Sequence, residues 1–100
     1  MDASIQKPRF TDKQGQYLAF IHAYTLVMGR PPAEADMQRF FAVTPPSVHL
    51  MVLTLERLRL ISREPGVARS IKLLVTPENL PQLQPTVSSV QRDWGQNPLI

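Results

Sequence analysis

The side chains best equipped for chemistry are five cations that share one stretch of chain: Arg57, Arg59, Arg63, Arg69 and Lys72. Across residues 44–75 only Glu56 and Glu64 oppose them, so five bases against two acids leave a local net of +3. Residues 1–43 hold five bases and four acids, and residues 76–100 one base and two acids, so the excess sits in that one segment. Such a segment suits a polyanion, because each cation that meets a phosphate releases condensed counterions. The plainer alternative is a solvated face, and charge alone does not choose between them.

Other chemistry finds little support. The chain has no cysteine, which removes disulfides, thiolate ligands and cysteine nucleophiles together. Two histidines without cysteine make no convincing metal site. There is no glycine-rich phosphate loop, no paired-histidine zinc motif and no nucleophile elbow. The expectation is a protein that is not an enzyme, uses no cofactor and binds no small molecule. The opening MDASIQKPRF lacks an apolar signal core. No apolar run approaches the about 18 residues of a membrane span. The expected setting is therefore cytoplasmic, with no membrane partner.

One small domain must position these residues. Residues 1–10 lack periodicity and read as a flexible arm. Thr11 opens a helix, with Gln14 at capping-box spacing. Tyr17, Phe20, Ile21, Tyr24, Val27 and Met28 recur at helical intervals as its inward face. Gly29 stops it, and Pro31 and Pro32 forbid its continuation. A second helix spans roughly 33–41, with Glu34 and Asp36 in the first turn where the helix dipole favours negative charge. Ala42 and Val43 leave room only for a tight turn.

Thr44 caps a third helix with Pro45 in its first position, running to about Arg59. Val48, Met51, Val52 and Leu55 form its inward stripe. Residues 60–64 and 70–75 then read as strands around a turn at 65–69, an antiparallel hairpin. Residues 76–100 read as a Pro- and Gln-rich tail, with Val87, Val90 and Trp94 spaced for a short helix at 86–94. The fold class is α+β, mostly α: a three-helix winged helix-turn-helix over 11–75 whose C-terminal two-stranded hairpin is the wing. In that geometry the second helix braces the third, which lies in the major groove of duplex DNA while the wing meets the backbone.

The run TPPSVHLMVLTLERLRLISREPGVARSIKLL, residues 44–74, resembles the recognition helix and wing of LexA repressors. FTDKQGQYLAFIHAYTLVMGRPPAEADMQRFF, residues 10–41, resembles their first two helices. Gly29-Arg30-Pro31-Pro32, Thr44-Pro45, Pro65-Gly66 and Arg69-Ser70-Ile71-Lys72-Leu73-Leu74 carry most of the likeness. It implies a sequence-specific DNA-binding transcriptional regulator. It places Thr44, Pro46, Ser47, His49 and Leu50 at the groove-facing start of the third helix. It puts Arg69, with Ala68 beside it, on the wing near phosphate, and Thr11 and Lys13 near the backbone at the start of the first helix. Lys72 joins Arg69 as a candidate phosphate contact. Arg57 and Arg63 are further candidates, with Arg57 either reaching backbone or pairing beside Glu56.

Two departures stand out. LexA repressors carry hydrogen-bonding residues where this chain has Pro46 and Leu50, so a different operator is expected, with Leu50 offering apolar contact such as a thymine methyl accepts. The family also has a basic residue and then glycine before the wing, where this chain has Leu58-Arg59. Either the helix closes by another route or Arg59 takes a left-handed conformation. The 25 residues after Val75 are too few for the family's self-cleaving C-terminal domain, so the chain as it stands is expected not to cleave itself. The partner is expected to be double-stranded DNA, with room for a homodimer through the tail. The competing reading is a winged-helix protein–protein module using Leu50, Leu53 and the tail.

Overall fold

The computed structural model describes residues 9–85. It consists of α1 (Asp12–Met28), α2 (Glu34–Phe41), α3 (Pro45–Arg57), β1 (Ile61–Ser62) and β2 (Lys72–Leu73), then a 3-10 turn at Pro77–Asn79. Three helices and an antiparallel pair make the expected α+β winged helix. The 86–94 helix, with Val87, Val90 and Trp94, lies outside the described residues.

Local chemistry sets the helix ends. At α1 the Thr11 hydroxyl accepts from the Gln14 amide at 3.1 Å, and the Gln14 side chain accepts from the Thr11 amide at 2.9 Å. Gly29 closes the helix at φ 77°. At α3 the Thr44 hydroxyl accepts from the Ser47 amide at 3.3 Å, and both prolines sit in the first turn, where no intrahelical donor is lost. The helix ends two residues before Arg59. The Leu60 amide reaches back to the Leu55 carbonyl (2.9 Å) and the Arg59 amide to the Glu56 carbonyl (3.0 Å). These two bonds form a Schellman closure with Arg59 at φ 63°, where glycine is the usual occupant. Leu55 and Leu60, both fully buried, supply the apolar contact that accompanies it.

The core joins Tyr17, Leu18, Phe20 and Ile21 of α1 to Met37 of α2, Val48, Val52 and Leu55 of α3, and Leu60, Ile61 and Ile71 of the hairpin. Met51 is partly buried at its edge. The aromatic rings stack on one another, Tyr17 on Phe41 at 4.1 Å and Phe20 on Phe40 at 4.7 Å between centroids, and offer no platform for bases. Two sequence expectations need correction here. Val27 is 81% exposed and Met28 also faces solvent, because residues 25–30 overshoot the body of the domain and periodicity cannot show where a helix outruns its partners.

The strands are also shorter than 60–64 and 70–75. Pairing is limited to Ile61 with Leu73 and Ser62 with Lys72, extended by one bond from the Leu74 amide to the Leu60 carbonyl. Beyond it the Ser70 hydroxyl takes over the ladder's work. It accepts from the Glu64 amide at 2.9 Å and donates towards the Val67 carbonyl at 2.9 Å. Gly66 (φ 77°) and Arg69 (φ 59°) adopt left-handed conformations that no strand tolerates.

The first residues of the tail return to α1. The Gln16 side chain donates to the Gln82 carbonyl (3.0 Å) and accepts from the Gln84 amide (2.7 Å). Leu80 and Leu83 pack on the core. A β-carbon at Gly15 would lie 3.0 Å from both Phe10 and Pro81, so the close approach of this segment depends on glycine there.

Candidate nucleic-acid interface

With Val48, Val52 and Leu55 buried behind it, α3 turns Thr44, Pro46, Ser47, His49, Leu50, Leu53 and Arg57 outwards. Leu50 is 66% exposed and Leu53 38%. The polar content of this face is partly committed. Thr44 and Ser47 bond to each other through their hydroxyls at 2.9 Å. His49 Nδ1 lies 3.2 Å from the carboxylate of Glu34, the first residue of α2. Thr11 and Lys13 are exposed at the start of α1, Ala68 on the wing loop and Lys72 on β2. Lys13, Arg57 and Lys72 have no ion pair among the described residues.

The other two wing cations depart from the sequence reading. Arg63 Nε bonds Glu56 at 3.1 Å, so Glu56 is taken by Arg63 and not by its neighbour Arg57. Arg69, expected near phosphate, turns onto the protein. Its Nη1 donates to Asp36 Oδ2 (3.0 Å), the Tyr24 hydroxyl (3.1 Å) and the Pro31 carbonyl (3.3 Å). The guanidinium carbon lies 5.9 Å from the centre of the Tyr24 ring. The physical reason is that a buried carboxylate needs a partner: Asp36 is 8% exposed, and Arg69 is a cation within its reach.

Asp36 is the residue sequence reasoning missed. It was read only as a dipole-stabilising acid, yet it joins three elements. Its Oδ2 also accepts from the Ala33 amide at the start of α2 (2.8 Å), and its Oδ1 accepts from Arg39 (2.6 Å). Burial works against its charge, but the Ala33 hydrogen bond, the Arg69 charge, the Tyr24 hydroxyl and Arg39 together outweigh burial and hold its carboxyl below the ordinary value. Arg69 is pushed up in turn, first by its hydrogen bond to Tyr24 and also by Asp36. Only the position of Asp36 in the first turn was visible in sequence. Its wing partner stands 33 residues away.

Glu34, His49, Arg63, Arg69 and the wing loop line an open groove of about 350 Å³ between the start of α2 and the wing, with His49 of α3 at its side. The described residues contain no cluster of three or more histidine, cysteine or acidic side chains able to hold a metal, and no helix long and apolar enough to cross a membrane.

No protein-family model matches the chain. Among characterised proteins it is 37% identical over 70 residues to the LexA repressor of Thermosipho africanus (strain TCF52B), which covers 70% of this chain and 35% of the relative. It is 35% identical over 72 residues to the LexA repressor of Thermosipho melanesiensis (strain DSM 12029 / CIP 104789 / BI429), covering 72% and 36%. The matched part is 35% and 36% of these relatives, so the chain spans about a third of their length. Over that part, three helices followed by a short antiparallel wing, the chain is similar to LexA repressors.

Proposed function

We propose that this domain binds double-stranded DNA as a LexA-like transcriptional regulator, with the first two turns of α3 in the major groove and the wing along the backbone. The observation that carries the reading is the outward row Pro46, Ser47, His49 and Leu50 on a helix whose opposite face is fully buried. A helix held from behind presents its N-terminal side chains to base edges at fixed geometry. Lys13, Arg57 and Lys72 supply phosphate contacts, helped by the Thr11 hydroxyl and the Ala68 backbone. Arg63 and Arg69 are left out of that set because their charges are already engaged.

The base-reading chemistry is sparse. Ser47 and His49 are the polar members of the row, and Leu50 favours a thymine methyl. A dimer through the tail would match two half-sites, and nucleoid association follows from DNA binding. The experiment is selection of a bound duplex from a random pool, then titration with Leu50→Ala and Ser47→Ala. Each variant should lose selectivity while keeping its affinity for random DNA. Equal loss on both kinds of DNA would remove α3 from base readout. The exposed Leu50 and Leu53 favour a second reading, docking of a partner protein, which predicts no DNA binding even at low salt.

A further inference from the structure

We infer that Arg69 is a positioning residue: with Tyr24 and Asp36 it forms a clasp that sets the wing and the start of α2 relative to α3, and it does not contact phosphate. The inference rests on the DNA-binding reading above. Three features carry it. The backbone of Arg69 is left-handed (φ 59°), a conformation that side chains with a β-carbon avoid unless their surroundings impose it. Its side chain then reaches Asp36 and Pro31 on either side of the α2 start and Tyr24 on α1, so one cation ties the wing loop to two other elements. Asp36 is buried and both of its oxygens are used, so releasing Arg69 takes a charged partner from a buried carboxylate.

The Ser70 bonds hold the loop together from within, but little else ties it to the rest of the domain. The sheet is two residue pairs long, and Ile71 is the one buried residue between Ser62 and Lys72. The clasp also bears on α3. Asp36 caps the turn that begins with Glu34, and Glu34 meets His49 on the recognition face. Release of Arg69 therefore loosens the wing and the brace of α3 together. Breaking the clasp should disturb DNA binding through geometry, even where the substitution changes the charge in the direction that DNA favours.

The test compares Tyr24→Phe, Asp36→Asn, Arg69→Lys and Arg69→Ala with wild type, at a temperature well below the melting point of each. Anisotropy is measured on a selected duplex and on random duplex over a range of salt, and amide hydrogen exchange is measured without DNA. The expected result is a fall of about fivefold in the selected-to-random ratio for all four variants. This includes Asp36→Asn, which removes a negative charge, and Arg69→Lys, which keeps the positive one. The slope of affinity against salt should stay at its wild-type value, and the Glu64, Val67 and Leu74 amides should exchange faster. Merely lowered global stability would leave the ratio untouched, and that result overturns the inference. So does a salt slope that falls by about one in Arg69→Ala while Arg69→Lys binds as wild type and Tyr24→Phe has no effect, the signature of a phosphate contact. Absence of wild-type binding overturns the DNA reading instead, and the exchange rates then report on the clasp alone.

Discussion

The first two turns of α3 and the loop of the wing are both exposed, but they are held by different means. The α3 face is fixed from directly behind, by Val48, Val52 and Leu55 in the core and by a cap three residues long. The wing loop has almost no core of its own. It is fixed by polar bonds, the Ser70 hydroxyl within the loop and the Arg69–Asp36–Tyr24 contact across the domain. The α3 surface should therefore respond mainly to lost packing, and the wing to lost charge pairs and to pH.

The largest expected effect lies behind α3. Leu55→Ala should destabilise the domain by about 2–5 kcal/mol, measured by denaturant unfolding, because it empties a fully buried site. A change below about 1 kcal/mol would mean that α3 is not anchored as described. The next effect concerns the join between the two regions. Arg59→Gly should stabilise the domain by up to about 1 kcal/mol, because it relieves a left-handed arginine in the helix closure. A loss of stability on thermal melting would show that the Arg59 side chain contributes more than its backbone strain costs.

Acid should separate the regions. The Asp36 carboxyl is depressed in the folded state, so its contribution is fully present above the ordinary carboxylate range and is lost as pH falls through the lower folded value. Unfolding followed from pH 6 to pH 2 should show part of the acid sensitivity vanishing in Asp36→Asn. Identical pH profiles for the two proteins would deny the buried pair its role. The smallest effect is on binding. Lys72→Ala should weaken affinity similarly for all duplexes and reduce the salt slope by about one. An unchanged slope would remove Lys72 from the backbone contacts.

The same contrast explains what the sequence made legible. The caps at Thr11 and Thr44 depend on partners three residues away, so they can be read directly from the chain. The inward stripe of α3 follows from helical period, and the left-handed Arg59 was one of two routes left open by the missing glycine. The wing was less legible because its determinants are distant. Arg69 looks like a free surface cation until Tyr24, 45 residues earlier, is brought against it. Arg63 finds Glu56 seven residues back, across the helix closure. Val27 and Met28 fit the period of α1, but period carries no information on where the neighbouring elements end. The face of α3 was thus visible at residue level, and the division of the wing cations between structure and contact was not.

The most direct test of the central claim is fluorescence anisotropy of the domain with random-sequence duplex DNA at two salt concentrations. The account predicts clear binding at low salt that weakens steeply as salt rises, the slope of log affinity against log salt steepening by about 0.9 for each phosphate neutralised. No binding at low salt would contradict it, and would make exposed Leu50 and Leu53 the surface to examine for a protein partner.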